Sequence, residues 1–255
     1  MAITIKNAHE IELMRQAGFV VAKVHARIQE LIAPGVTTGE LDDVAREIID
    51  AEGAISNFYG HHGFTGRICA SINDEIVHGI PGERSLKEGD IISIDVGAIV
   101  GGFHGDSAWT YPVGQIPRQA ADLLTVTEAS LYEGIARARA GNRLGAIGHA
   151  VEEYATSRGY GLVREYGGHG IGRQMWEDPH IPNHGSPDRG IVLRQGMTIA
   201  IEPMLTTGGD ETRTLEDGWT VITADGSLAA HFEHTVVVTE NEPEILTKRL
   251  SSVVK

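Results

Sequence analysis

Ile91-Ile-Ser-Ile-Asp-Val-Gly97 and Gly101-Gly-Phe-His-Gly-Asp-Ser107 decide how this chain is read. The first is a run of apolar, β-branched residues of the kind that forms a buried strand. Asp95 stands inside it, and a carboxylate among such neighbours is costly to ionise unless something compensates its charge. Gly101-Gly102 turns the chain into a second strand over 103–113, which carries Asp106. A hairpin of this length can bring both carboxylates to one face. Two readings of the pair stand side by side: acids capping strand ends and bonding backbone amides, or acids sharing a cation.

Working outward, residues 8–33 have helical spacing. Ile11, Met14, Phe19, Val21, Val24, Ile28 and Leu31 favour one broad face, and Pro34-Gly35 stops the run. Thr37-Thr-Gly-Glu40 reads as a capping box opening a second helix to about Glu52, with Gly53 as its stop. Residues 67–72 are strand-like. Beyond the hairpin the order recurs. Helices are expected over 118–139 and 144–158, then strands over 162–166, 197–203, 219–223 and 231–239. The segment 173–196 is rich in Gly, Pro, His and charge, and reads as a loop near a site. Helix, helix, strands, twice over, predicts a pseudo-symmetric α+β fold. No Pro/Ser-rich linker divides it, so one catalytic domain over 1–255 is expected, with halves about 8–115 and 116–248.

Composition narrows the function. The chain has 255 residues and a formal net charge of −14, which argues against a general binder of nucleic acid. Its single cysteine, Cys69, excludes an internal disulfide scaffold. Histidines number 12, against 5 phenylalanines. The first ten residues hold no apolar core of a signal peptide, and Gly18-Phe-Val-Val-Ala22 falls far short of the roughly 20 residues a membrane span needs. The expectation is a soluble cytoplasmic protein.

Three more side chains able to hold a metal sit in apolar or glycine-rich surroundings. His169 lies in Tyr166-Gly-Gly-His-Gly-Ile-Gly172, Glu202 in Thr198-Ile-Ala-Ile-Glu-Pro203, and Glu233 in His231-Phe-Glu-His-Thr-Val-Val237. With Asp95 and Asp106 they make four carboxylates and one imidazole. An oxygen-rich set without thiolate suits Mn, Fe, Co or Zn in a hydrolytic site better than a structural zinc. Four carboxylates are too much negative charge for one divalent ion and fit two ions roughly 3.5–4 Å apart.

That ordered set, with Ser71-Ile-Asn-Asp-Glu-Ile-Val-His-Gly-Ile-Pro81, Gly167-Gly-His-Gly-Ile-Gly172 and Ile201-Glu-Pro203, resembles the type I methionine aminopeptidases over about residues 5–248. The resemblance implies the pita-bread fold, a curved antiparallel sheet covered by two helix pairs. It implies a metallo-exopeptidase with two divalent ions (Co, Mn, Fe or Zn) that removes the initiator methionine from nascent chains, preferring a small second residue. It further implies a cytoplasmic monomer whose partners are N-terminal Met peptides and the ribosome. Carried over residue by residue, it makes Asp95 a bidentate ligand, Asp106 and Glu233 bridges, and His169 and Glu202 the rest of the set. Glu202 would also move the proton, and His78 would hydrogen-bond the substrate near the scissile nitrogen. Phe58, His61, Phe64, Cys69 and Trp219 would line the methionine pocket, where aromatic faces and a thiol suit a thioether.

Two positions depart from the pattern. His61 stands where the family usually has Tyr. Trp176 stands seven residues beyond His169, where the family has a second catalytic His facing the substrate carbonyl. An indole donates one N–H but cannot take up a proton. The expectation is altered or reduced activity, with His180 or His184 of the same loop as candidate replacements. Two other readings are a prolidase-like or creatinase-like hydrolase, and a weakly active or non-catalytic relative that binds peptides or a partner.

Overall fold

A computed structural model describes residues 3–250. Helix α1 (Ala8–Leu31) and helix α2 (Thr38–Ala51) each begin with a reciprocal capping box, Asn7 with Glu10 and Thr37 with Glu40. The second is legible in Thr37-Thr-Gly-Glu40, and Asn7 and Glu10 have the same three-residue spacing. Both helices cover a sheet whose centre is the Ile91–Val100 strand. Ile68–Ile72 runs antiparallel along one edge of that strand and Phe103–Pro112 along the other.

The hairpin forms through Gly101 and Gly102, with φ of +56° and +79°. Both central residues of such a tight turn need the left-handed region, which glycine adopts without a steric penalty. Pairing runs from Val100 with Phe103 to Ile91 with Pro112. Helix α1 lies close on this hairpin because Gly18 faces Gly105. A Cβ on Gly105 would stand 2.8 Å from the Gly18 nitrogen. Gly105→Ala is therefore expected to destabilise the protein by about 1–3 kcal/mol through overpacking. An unchanged urea midpoint would show that this contact has slack.

Helices α3 (Arg118–Ile135) and α4 (Gly145–Thr156) pack together and cover the later strands. Those form a five-stranded antiparallel sheet, ordered Glu244–Ile245, His234–Val237, Thr198–Ile201, Gly167–Gly170, Glu177–Pro182. A three-stranded sheet of Ala229–His231, Met204–Thr206 and Gly161–Leu162 adjoins it. The two sets of elements are joined along one seam. Asp106 N donates to Thr235 Oγ1 at 3.0 Å, Ser107 Oγ to Glu233 O at 2.6 Å and Glu233 N to Ala108 O at 2.8 Å.

Five expectations need correction. Phe19 is not on the buried face: it is 47% exposed, with the Lys23 ammonium 4.6 Å above its ring. Helix α3 ends at Ile135 rather than 139, because Ala140 N donates to Thr239 O and draws the chain away. The strand expected over 162–166 is only Gly161–Leu162, after which Arg164 reaches Glu152 and Asp210 at the surface. The expected loop 173–196 contains the Glu177–Pro182 strand, whose two prolines are tolerated because it is the sheet edge. The strand expected over 231–239 is broken at Phe232-Glu233, where Glu233 turns to the seam.

Candidate active site

Asp95 pairs with Ala108 and Gly97 with Asp106, so the two aspartates stand two residues apart in register and share a face. Asp106 is buried; Asp95 opens onto a cavity of about 540 Å³ including its mouth. Glu233 reaches the same cavity from the seam, and Glu202 from the end of the Thr198–Ile201 strand. His169 comes from the glycine-rich Gly167–Gly170 strand. One ligand atom each from Asp106, His169 and Glu233 lies within 4.8 Å of the others.

His169 Nδ1 is 2.9 Å from the Gly170 carbonyl oxygen, which can only accept, so Nδ1 carries the hydrogen. Burial pushes the His169 pKa down, leaving Nε2 as a bare lone pair. That atom lies 3.8 Å from Glu202 Oε1 and 4.0 Å from Asp106 Oδ2. Burial also pushes the Asp95 carboxyl up to about 7. Burial, then Asp95 and Glu202, raise Asp106; burial, then Asp106, Glu202 and Asp95, raise Glu233. Glu202 differs. Burial acts upward on it too, but His231, His169 and His78 outweigh that and hold it below the ordinary value.

Asp95 Oδ1, Asp106 Oδ1 and Glu233 Oε1 are all buried without a hydrogen-bond partner. Among the described residues no lysine or arginine lines the cavity. Buried carboxylates normally have a cation or donors facing them. Four acids, an imidazole with a free lone pair and no cationic side chain fit hard divalent cations, and this donor set passes that test on its own geometry.

Beside the cluster lies an apolar pocket. Phe58, Phe64, Cys69 and Met175 form one buried group with Trp219 against it. Phe64 and Trp219 meet edge to face at 5.1 Å, and Cys69 is paired in register with Asp95, so the pocket floor and the acids share a strand pair. His78 enters the cavity from a left-handed backbone, φ +61°, between the rings of Tyr166 and Trp219. His61 and Trp176 also line the cavity, their rings 4.7 Å apart. His180 is exposed and pairs in register with His169, but neither it nor His184 lines the cavity.

Sequence reading missed two residues. Met175 lines the pocket; its signal was an apolar side chain inside a polar, glycine-rich segment. His231 is 2% exposed, and its Nε2 is 3.5 Å from Glu202 Oε2. It stood inside the quoted His-Phe-Glu segment, but only the fold puts it beside Glu202.

Buried acids and the bare Nε2 of His169 at the end of an apolar pocket make the centre of a metal-dependent hydrolase. The chain belongs to metallopeptidase family M24, whose sequence profile matches residues 12–240. It is 51% identical over 246 residues to methionine aminopeptidase 1 of Bacillus subtilis, covering 96% of this chain and 99% of that one. The crystal structure of methionine aminopeptidase from Thermotoga maritima superposes with a TM-score of 0.96 at 44% identity, covering 97% and 100% of the two chains. The prolidase from Pyrococcus furiosus gives 0.76 at 22% identity, covering 97% of this chain and 66% of that one, which shows the shared pita-bread fold alone. No helix among the described residues is long and apolar enough to cross a membrane.

Proposed function

We propose that this chain is a metal-dependent aminopeptidase that removes the N-terminal methionine of polypeptides, working as one catalytic domain. What carries the reading is the juxtaposition of unpartnered buried carboxylate oxygens with an apolar pocket suited to a thioether. Asp95, Asp106, His169, Glu202 and Glu233 would hold two divalent ions drawn from Co, Mn, Fe and Zn. Such ions supply Lewis acidity and an activated water at neutral pH.

The chain's own groups do the rest. Phe58, Phe64, Cys69, Met175 and Trp219 bury the methionine side chain and fix the scissile bond beside the acids. The acids also receive the free amino terminus, which makes the enzyme an exopeptidase. Glu202, the acid held ionised by its histidines, accepts the proton of the attacking water and returns it to the leaving amine. His78 donates a hydrogen bond near the scissile nitrogen. The Trp176 indole narrows the mouth, which supports a preference for a small second residue. The same reading makes nascent chains at the ribosome the substrates and a cytoplasmic monomer the working form.

Hydrolysis of Met-Ala-Ser with each of the four metals tests this. Release of free methionine is expected. Chelation should abolish it, and N-acetyl-Met-Ala-Ser should not be cut. Tight peptide binding with two metals per chain but no release would instead favour the weakly active peptide binder, the reading that Trp176 alone supports.

A further inference from the structure

An amide under attack presents two polar ends. The nitrogen becomes an amine, and the carbonyl oxygen gathers negative charge that needs a preorganised N–H or O–H donor. The cavity carries two imidazoles besides His169, each braced by its own indole. His78 lies against Trp219, ring centroids 6.4 Å apart at 87°. His61 lies against Trp176 at 4.7 Å and 64°. Trp176 in turn lies 6.3 Å from the His169 ring, so His61 stands one indole away from the metal-competent cluster.

The presentation of His61 is unusual. It sits in Gly60-His-His-Gly63, where φ is +82° at Gly60, +45° at His62 and +89° at Gly63. A histidine in the left-handed region is uncommon, and such conformations persist where the surroundings impose them, often at functional sites. The turn presses the His61 ring between His62, 4.3 Å away, and Trp176. Its Nε2 is shielded from solvent and has no hydrogen-bond partner. A polar atom buried this way, in a cavity-lining residue, is waiting for a partner from outside the chain.

We propose that His61 is a catalytic donor, its Nε2–H bonding the carbonyl oxygen of the peptide bond being cut, with the Trp176 indole holding the ring in place and closing the mouth beside it. The inference rests on the aminopeptidase reading and adds to it. His78 and His61 grip the two ends of one amide, and Trp176 is the wall that makes His61 effective rather than a lesion in the site.

The test is a double-mutant cycle on Met-Ala-Ser, with kcat and KM separated and bound metal measured for each variant. His61→Phe keeps the ring and removes the donor; it should lower kcat by about 10²-fold, the lower end for loss of one oxyanion donor, with metal content unchanged. His61→Asn keeps an N–H and should recover part of the loss. In the Trp176→His background an imidazole already faces the cavity, so His61→Phe should cost less than about tenfold. A loss below about threefold for His61→Phe, or the same loss in both backgrounds, overturns the inference while leaving the aminopeptidase reading intact. A wild-type chain that cuts no N-terminal Met peptide overturns both.

Discussion

Asp106→Asn is expected to cut kcat/KM by about 10³-fold and to lower the number of ions bound per chain. The size follows from what a cation contributes: several kcal/mol of charge stabilisation in the transition state, at tenfold in rate per about 1.4 kcal/mol. Asp106 is the most telling position. It is buried, its Oδ1 has no protein partner, and its ligand atoms lie close to those of both His169 and Glu233. Asparagine is nearly isosteric, so the fold should survive. Circular dichroism should be unchanged while metal analysis shows the loss. Full activity with full metal occupancy would remove Asp106 from the centre and leave it a buried structural acid.

The second large effect is on stability. Asp95, pushed up to about 7, and Asp106 and Glu233, raised likewise, all have folded pKa values above their unfolded ones. A carboxyl of this kind stabilises the fold while it keeps its proton. That contribution is present below the unfolded value near 4 and is lost as pH rises through the folded value. Metal-free protein should therefore carry a penalty from this cluster at pH 7.5 that is smaller at pH 5 and vanishes only below about pH 4. A divalent cation at about 100 times its Kd adds about 2.7 kcal/mol, which for a chain of this size raises Tm by about 5–10 °C. The gain should appear at pH 7.5 and shrink at pH 5, where protons compete for the same oxygens. Equal gains at both pH values would show that the cation binds elsewhere. Buried His25, held near pKa 4, and His234, near 3, act in the opposite direction as pH falls. The comparison is therefore between metal-free and metal-loaded protein at each pH, in which their contribution cancels.

Much of this was readable from residues because the chemistry is local. Asp95 in Ile-Ile-Ser-Ile-Asp-Val-Gly is an acid where periodicity demands burial, and Gly101-Gly102 dictates a hairpin that puts Asp106 on the same face. His169 among glycines, and Glu202 at the end of an apolar strand, are anomalies of the same kind. What could not be read depends on tertiary partners. Pro179 and Pro182 argue against a strand, and only the free edge beside Gly167–Gly170 permits one. The 231–239 run holds neither proline nor glycine to interrupt a strand, and only the bond from Glu233 N to Ala108 O breaks it. The contact between His61 and Trp176 joins residues over a hundred positions apart and has no trace in either local sequence. Likewise, nothing near His231 announces its carboxylate partner.

The seam along Asp106–Ala108 and Glu233–Thr235 has a consequence for the order in which the protein comes to life. Asp95 and Asp106 leave the ribosome early, while Glu233 follows more than a hundred residues later. During synthesis the first hairpin must wait, with two acids and no counter-charge, until the later strands arrive. Divalent ions that need side chains from both halves could not guide that first stage; they could only lock the finished one. Catalytic competence thus arrives in one step with the closing of the two halves, and a chain stalled before residue 233 would own most of its core and none of its activity.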